Sequence, residues 1–172
     1  SCPVFMGPIN ALQNTGRMLC GGASHVVEKY KSELQAMTGE LIQLGENVAK
    51  PCALKLVGNS LIIGLTGVLA DTFAIGAQTG LGVEEINSFV STFPFGMIVA
   101  GRGARMVKGD YSASFELSMA RKDLRLMLEA TEGQSLGVLP GLAQRMDQLI
   151  EQGHASADLG ILSVDTIPAA KK

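Results

Sequence analysis

One long helical pattern, running over about residues 47–79, limits what this chain can fold into more than any other feature. Pro51 stands in its first turn, where a missing N–H costs nothing, and Gly80-Leu81-Gly82 ends it. Inside it lies the longest apolar stretch, residues 61–70, interrupted by Gly64, Thr66 and Gly67 and closed by Asp71. Ten helical residues rise only about 15 Å, half of a bilayer core, so the stretch is expected to be buried rather than membrane-spanning. Composition agrees: 47% of the 172 residues are hydrophobic and 17% charged, which excludes disorder and calls for much buried helix.

Everything after Gly45 reads as helix. Val83, Ile86, Val90 and Phe93 mark a second helix closed by Pro94, and residues 97–107 a third ended by Gly109-Asp110. Residues 113–130 form a fourth with two apolar stripes. One holds Ala113, Leu117, Ala120, Leu124 and Leu128; the other holds Phe115, Met119 and Leu126. Residues 139–152 are a fifth, with Pro140 in its first turn, followed by a tail carrying one apolar patch at 159–164. Ahead of the long helix the pattern is short and mixed. Residues 3–6 and 17–20 read as strands ended by Gly7-Pro8 and Gly21-Gly22, residues 24–37 as a helix, and 40–44 as a third strand. The expected fold is therefore mainly α: a helical bundle over 46–172, preceded by a small β-β-α-β piece over 1–45 that looks like the end of an α/β domain.

Charge and cysteines narrow the partners. Fourteen Lys+Arg against 16 Asp+Glu, with no basic cluster, argue against nucleic acid or an anionic membrane surface. Cys2, Cys20 and Cys52 are odd in number, scattered and free of CxxC spacing. Neither a disulfide framework nor a zinc site follows, and a reducing, cytoplasmic compartment is expected. His25 and His154 offer no metal-ligand pattern, so no metal is expected. Gly101-Arg102-Gly103-Ala104-Arg105-Met106 faintly resembles a phosphate loop, but no strand precedes it.

Lys55 carries the most chemical information. Lys55 and Asn59 stand at i and i+4, on one helical face whose other members are Cys52, Ile62, Thr66 and Leu69. A lysine there either snorkels to water or serves as a proton-transfer group, with the amide beside it orienting a substrate oxygen. Lys122 repeats the situation on the fourth helix, flanked by Phe115, Met119 and Leu126.

Four segments occur in an order and spacing that resemble the β-hydroxyacid dehydrogenase family, which includes 3-hydroxyisobutyrate and 6-phosphogluconate dehydrogenases and the related imine reductases. They are Cys2-Pro3-Val4-Phe5-Met6-Gly7-Pro8, Met18-Leu19-Cys20-Gly21-Gly22, Ala53-Leu54-Lys55-Leu56-Val57-Gly58-Asn59 and Ala120-Arg121-Lys122-Asp123-Leu124. The resemblance implies that 1–45 is the remnant of a Rossmann-type nucleotide-binding domain and that 46–172 is the C-terminal dehydrogenase and oligomerisation domain. It implies Lys55 as the catalytic lysine and Asn59 as a substrate-orienting residue. Phe5, Met6 and Gly7 fall in the substrate loop, and Lys122 at the lysine that approaches NAD or NADP near the nicotinamide. A small-molecule substrate and a homodimer are implied as well. The chain departs from the family pattern at three places. Phe5-Met6 replaces Ser-Gly, Ala49 and Pro51 replace a glycine pair, and Gly58-Asn59 replaces Asn-Asn. The family's strand–GxGxxG–helix belongs ahead of residue 1, so this stretch alone is expected to be inactive. Two other readings compete. One is a non-catalytic helical oligomerisation or interaction domain, favoured by Phe5-Met6 and opposed by retention of Lys55 and Asn59. The other is imine reduction, opposed by Lys55.

Overall fold

The structure, a computed structural model, describes residues 1–167. The chain divides into two compact units, Ser1–Leu65 and Thr66 onward, and helix α4 (Lys50–Gln78) runs through both.

The first unit is built on a three-stranded sheet in the order β1 (Val4–Phe5), β2 (Arg17–Cys20), β3 (Glu40–Gln43). β1 pairs antiparallel with β2, setting Val4 against Met18, and β2 pairs parallel with β3, setting Cys20 against Gln43. The central strand buries Met18, Leu19 and Cys20 in succession, without alternation, as a strand covered on both faces must. Parallel strands need a crossover, and α2 (Ser24–Lys29) with α3 (Lys31–Ala36) supplies it. The single helix expected over 24–37 is thus two, divided at Tyr30, whose φ of −108° and ψ of 10° leave helical geometry. A short α1 (Pro8–Leu12) also follows β1 where only a turn was expected. Pro8 sets its first φ, and the Asn10 side chain accepts the Gly7 N–H at 2.9 Å.

The second unit packs α7 (Leu117–Ala130) on α8 (Leu139–Leu149) and also holds α5 (Val83–Val90) and α6 (Phe95–Lys108). Its core is Leu117, Ala120, Leu124, Ala143, Met146, Leu149 and Ile161. Ile161 belongs to a 3₁₀ turn, Leu159–Ser163, so the apolar patch read as part of a tail is a wall of the core. The fourth helix begins at Leu117 rather than Ala113, because Asp158 accepts the backbone N–H groups of Ser114 and Phe115 at 3.0 and 3.1 Å. Asp71 on α4 does the same for α8: its carboxylate accepts the N–H groups of Gly137, Val138 and Leu139 at 2.8, 2.9 and 2.9 Å. Burial pushes the Asp71 carboxyl up, but these three donors outweigh it and hold it below the usual carboxylate range.

One expectation fails along α4. Residues 61–70 are not buried as a block: Leu61, Ile63 and Leu65 are exposed, and cover begins at Gly67. By length and composition α4 could cross a membrane. A helix apolar around its circumference requires an apolar neighbour, and Leu61, Ile63 and Leu65 stay exposed among the described residues while Val138 packs at Gly67.

Candidate active site

Lys55 projects from the second turn of α4 towards the end of β1. Its Nζ lies 3.9 Å from the centroid of the Phe5 ring, a cation–π contact in which the ammonium rests on an aromatic face rather than against a carboxylate. The ring can take this place because Gly58, three residues along the same helix, has no side chain. A Cβ there would stand 2.3 Å from Phe5 Cζ and 2.7 Å from its Cε1. Two of the departures noted in the sequence, Phe5 and Gly58, therefore touch, and the ring fills the space the glycine leaves. Asn59 follows one turn after Lys55, half-buried like it. A half-buried ammonium held on a ring and an amide one turn away can together donate to one oxygen of a bound carbonyl or alcohol.

The neighbouring loop residues are engaged elsewhere. Met6 packs on the turn at Gly16, whose φ is +83° and where a Cβ would meet Met6 Cγ at 2.9 Å. Gly7 starts α1 through its N–H to Asn10. Beyond the carboxyl ends of β2 and β3, Cys20, Gly22, Ser24, Gln43 and Gly45 line a cleft of about 70 Å³. In open α/β sheets ligands bind at that end of the strands. This cleft is too small for a dinucleotide and can supply only a rim of such a site.

Lys122 belongs to the second unit. It is exposed on α7, with its Nζ 3.1 Å from the Asp123 carboxylate. Phe115, Met119 and Leu126 beside it are 39%, 45% and 49% exposed, so the second stripe of this helix faces outward while the first forms the core. Arg121 turns the other way and pairs with Asp147 through Nε and Nη2 at 2.7 and 3.0 Å.

Two constellations were not visible in the sequence. Asp158, 3% exposed, collects Ser114, Phe115 and Gly160 backbone donors together with Arg102 and Arg105. Those arginines come from the glycine-flanked segment that faintly resembled a phosphate loop and lies inside α6. The second is a thiol pair: Cys2 Sγ lies 3.3 Å from Cys20 Sγ. A spacing signal existed for neither, since both depend on how distant segments pair.

The contact at Gly58 makes a local prediction. Replacing an interior helical glycine by alanine ordinarily stabilises by up to about 1 kcal/mol. Gly58→Ala should instead destabilise by about 1–3 kcal/mol, because the methyl group meets the Phe5 ring. Phe5→Ala in the same chain should reverse the sign of the Gly58→Ala effect. Urea unfolding of the four chains of this cycle measures the coupling, and additive effects would remove the contact from the account.

No family model matches the chain. It is 28% identical over 157 residues to 3-sulfolactaldehyde reductase of Escherichia coli (strain K12), covering 83% of this chain and 48% of that one. It is 27% identical over 161 residues to 2-(hydroxymethyl)glutarate dehydrogenase of Eubacterium barkeri, covering 89% and 50%. The chain thus spans about half the length of the curated relatives it matches. Among solved structures, an imine reductase variant from Myxococcus stipitatus in complex with NAD+ superposes with a TM-score of 0.82 at 21% identity, over 94% of this chain and 59% of that one. The same reductase in complex with NADP+ gives a TM-score of 0.82 at 19% identity, over 94% and 58%.

Proposed function

We propose that this chain, β-hydroxyacid dehydrogenase-like in sequence and in fold, is the C-terminal part of an NAD(P)-dependent oxidoreductase acting on a hydroxy acid or a related carbonyl compound. The observation that carries the reading is the Lys55 ammonium on the Phe5 ring, with Asn59 one turn further along the same helical face. In this reading residues 1–45 belong to the nucleotide-binding domain and the helical domain starts at 46. NAD or NADP, when bound, supplies or takes the hydride. Lys55 gives its proton to the substrate oxygen during reduction and recovers one from solvent, or removes it during oxidation. A lysine suits both directions because desolvation by substrate lowers the proton affinity of an amine. Asn59 donates a hydrogen bond to the same oxygen, and Phe5 fixes where the ammonium stands. Lys122, with donors available on the outer face of α7, approaches the cofactor. The enzyme works in the cytoplasm on a small molecule.

The test uses the complete protein, with its dinucleotide-binding half. NADH and NADPH oxidation is followed by absorbance with a panel of short aldehydes, 2-oxo acids and 3-oxo acids. Turnover with at least one of them is expected. No turnover across the panel, with cofactor binding intact, would leave the non-catalytic helical reading in its place.

The same reading includes self-association. Leu56, Val57, Leu61, Ile63 and Leu65 of α4 are exposed. An apolar helical face of this extent calls for a partner of like character, and a second copy provides one. Light scattering at micromolar concentration should give twice the chain mass. Leu61→Glu with Ile63→Glu should return it to the mass of one chain.

A further inference from the structure

We infer that Cys2 and Cys20 form a reversible dithiol–disulfide couple that clamps the strand carrying Phe5 to the central strand of the sheet. The inference stands on strand register and does not depend on the oxidoreductase reading. The β1–β2 ladder continues past its named strands. Ser1 N donates to Gly21 O at 2.9 Å, Gly21 N to Ser1 O at 3.0 Å, and Leu19 N to Pro3 O at 2.9 Å. Cys2 and Cys20 lie between those bonded positions and form a directly opposed, non-hydrogen-bonded pair. Such pairs bring Cα atoms to about 4.5 Å and their side chains closest together. That separation lies within the range of about 4.4–6.8 Å that a disulfide spans. The sulfur atoms already stand 3.3 Å apart, so closing the bond requires rotation of the two side chains and no new strand pairing.

The two thiols differ in the way an exchange couple needs. Cys2 is exposed and Cys20 is 2% exposed. Burial and the neighbouring Cys2 sulfur both raise the Cys20 pKa, leaving the first attack to Cys2. With oxidised glutathione as oxidant, the Cys2 thiolate attacks one of its sulfurs and expels one glutathione thiolate, leaving a mixed disulfide. Cys20 then loses its proton to solvent, attacks the Cys2 sulfur and expels the second glutathione thiolate. Two protein thiols are oxidised by two electrons, one glutathione disulfide is reduced to two thiols, and the two protons pass to the released thiolates. Cys52 is the competitor: it is exposed, and its Sγ lies 3.2 Å from Ser1 Oγ, one residue from Cys2.

The experiment incubates the chain with excess oxidised glutathione, alkylates the remaining thiols and maps the peptides without reduction. The expected product links Cys2 to Cys20, with a mass loss of two hydrogens across the two peptides, and dithiothreitol reverses it. Cys52→Ser should still close the bond, whereas Cys20→Ala should stop at a glutathione adduct on Cys2. A Cys2–Cys52 link, or Cys2 and Cys20 both recovered alkylated, would overturn the inference.

Discussion

On the proposed chemistry, Lys55→Met in the complete protein should lower turnover by about 10²–10⁴-fold, equivalent to roughly 3–5 kcal/mol of barrier, while leaving cofactor affinity nearly unchanged. Methionine keeps the length and the contact with the Phe5 ring but has no proton to give. Lys55→Arg should not rescue, because a guanidinium stays protonated near neutral pH and cannot alternate between acid and base. It would, however, keep the cation–π contact, so folding should survive in that variant. A lysine that merely carries its charge out to water predicts the opposite pattern: arginine tolerated, methionine nearly neutral for activity. Both cases start from the same geometry, an ammonium 3.9 Å from a ring centroid on a half-buried side chain. Steady-state kinetics of both variants, with fluorescence titration of NADH and NADPH, measures the difference. Near-normal turnover in Lys55→Met would falsify the proton-transfer role.

How much of this was legible in the sequence follows from which interactions are local. Helical periodicity and the glycine stops placed α4 and the helices after it to within a few residues, because both are written in consecutive side chains. β2 was legible for the same reason, as a short run over 17–20 ended by Gly21-Gly22. The start of α7 was not, since Asp158 holds Ser114 and Phe115 from 44 and 43 residues away. Lys55 and Asn59 were legible as a pair by spacing alone. Their environment was not, because Phe5 reaches Lys55 only after β1 has paired with β2 and Gly58 has left room for the ring. The cysteines show the limit most plainly. Cys2 and Cys20 have no motif spacing, yet an antiparallel register that sets Val4 against Met18 also sets Cys2 against Cys20. Register is fixed by which face is buried and by the turn between strands, and neither quantity belongs to any single residue. The apolar pattern of α4 announced a need for cover without stating where that cover would come from.

Asp158→Asn should destabilise the fold by about 3–5 kcal/mol, the cost of removing one partner from a buried charged network. One carboxylate oxygen accepts the Ser114 N–H at 3.0 Å, the Ser114 hydroxyl at 2.7 Å and the Phe115 N–H at 3.1 Å. The other accepts the Gly160 N–H at 2.9 Å and Arg102 Nη1 at 3.3 Å. An amide would turn an NH₂ towards one of these sets of donors and leave the Arg102 guanidinium without its anion, while Arg105 keeps Asp110 at 3.2 Å. Burial works to raise the Asp158 carboxyl, but the backbone donors of Gly160, Ser114 and Phe115 and the Ser114 hydroxyl outweigh it and hold it far below the usual carboxylate range. The sign of the pH effect follows. A depressed folded-state value means that the unfolded chain binds the proton first as pH falls, near its ordinary value of about 3.9. The contribution is therefore complete above that pH and is lost progressively as pH drops towards the folded value. Asp71 titrates in the same direction, so Asp158→Asn should flatten the acid limb only in part, and Asp158→Asn with Asp71→Asn should flatten it further. Urea midpoints of the three chains between pH 7 and pH 2.5, a range of about 4.5 units chosen to bracket the unfolded carboxylate, measure both the loss and its slope. An Asp158→Asn chain as stable as the parent at pH 7, with an unchanged acid limb, would mean that the three backbone donors find water when the carboxylate is gone.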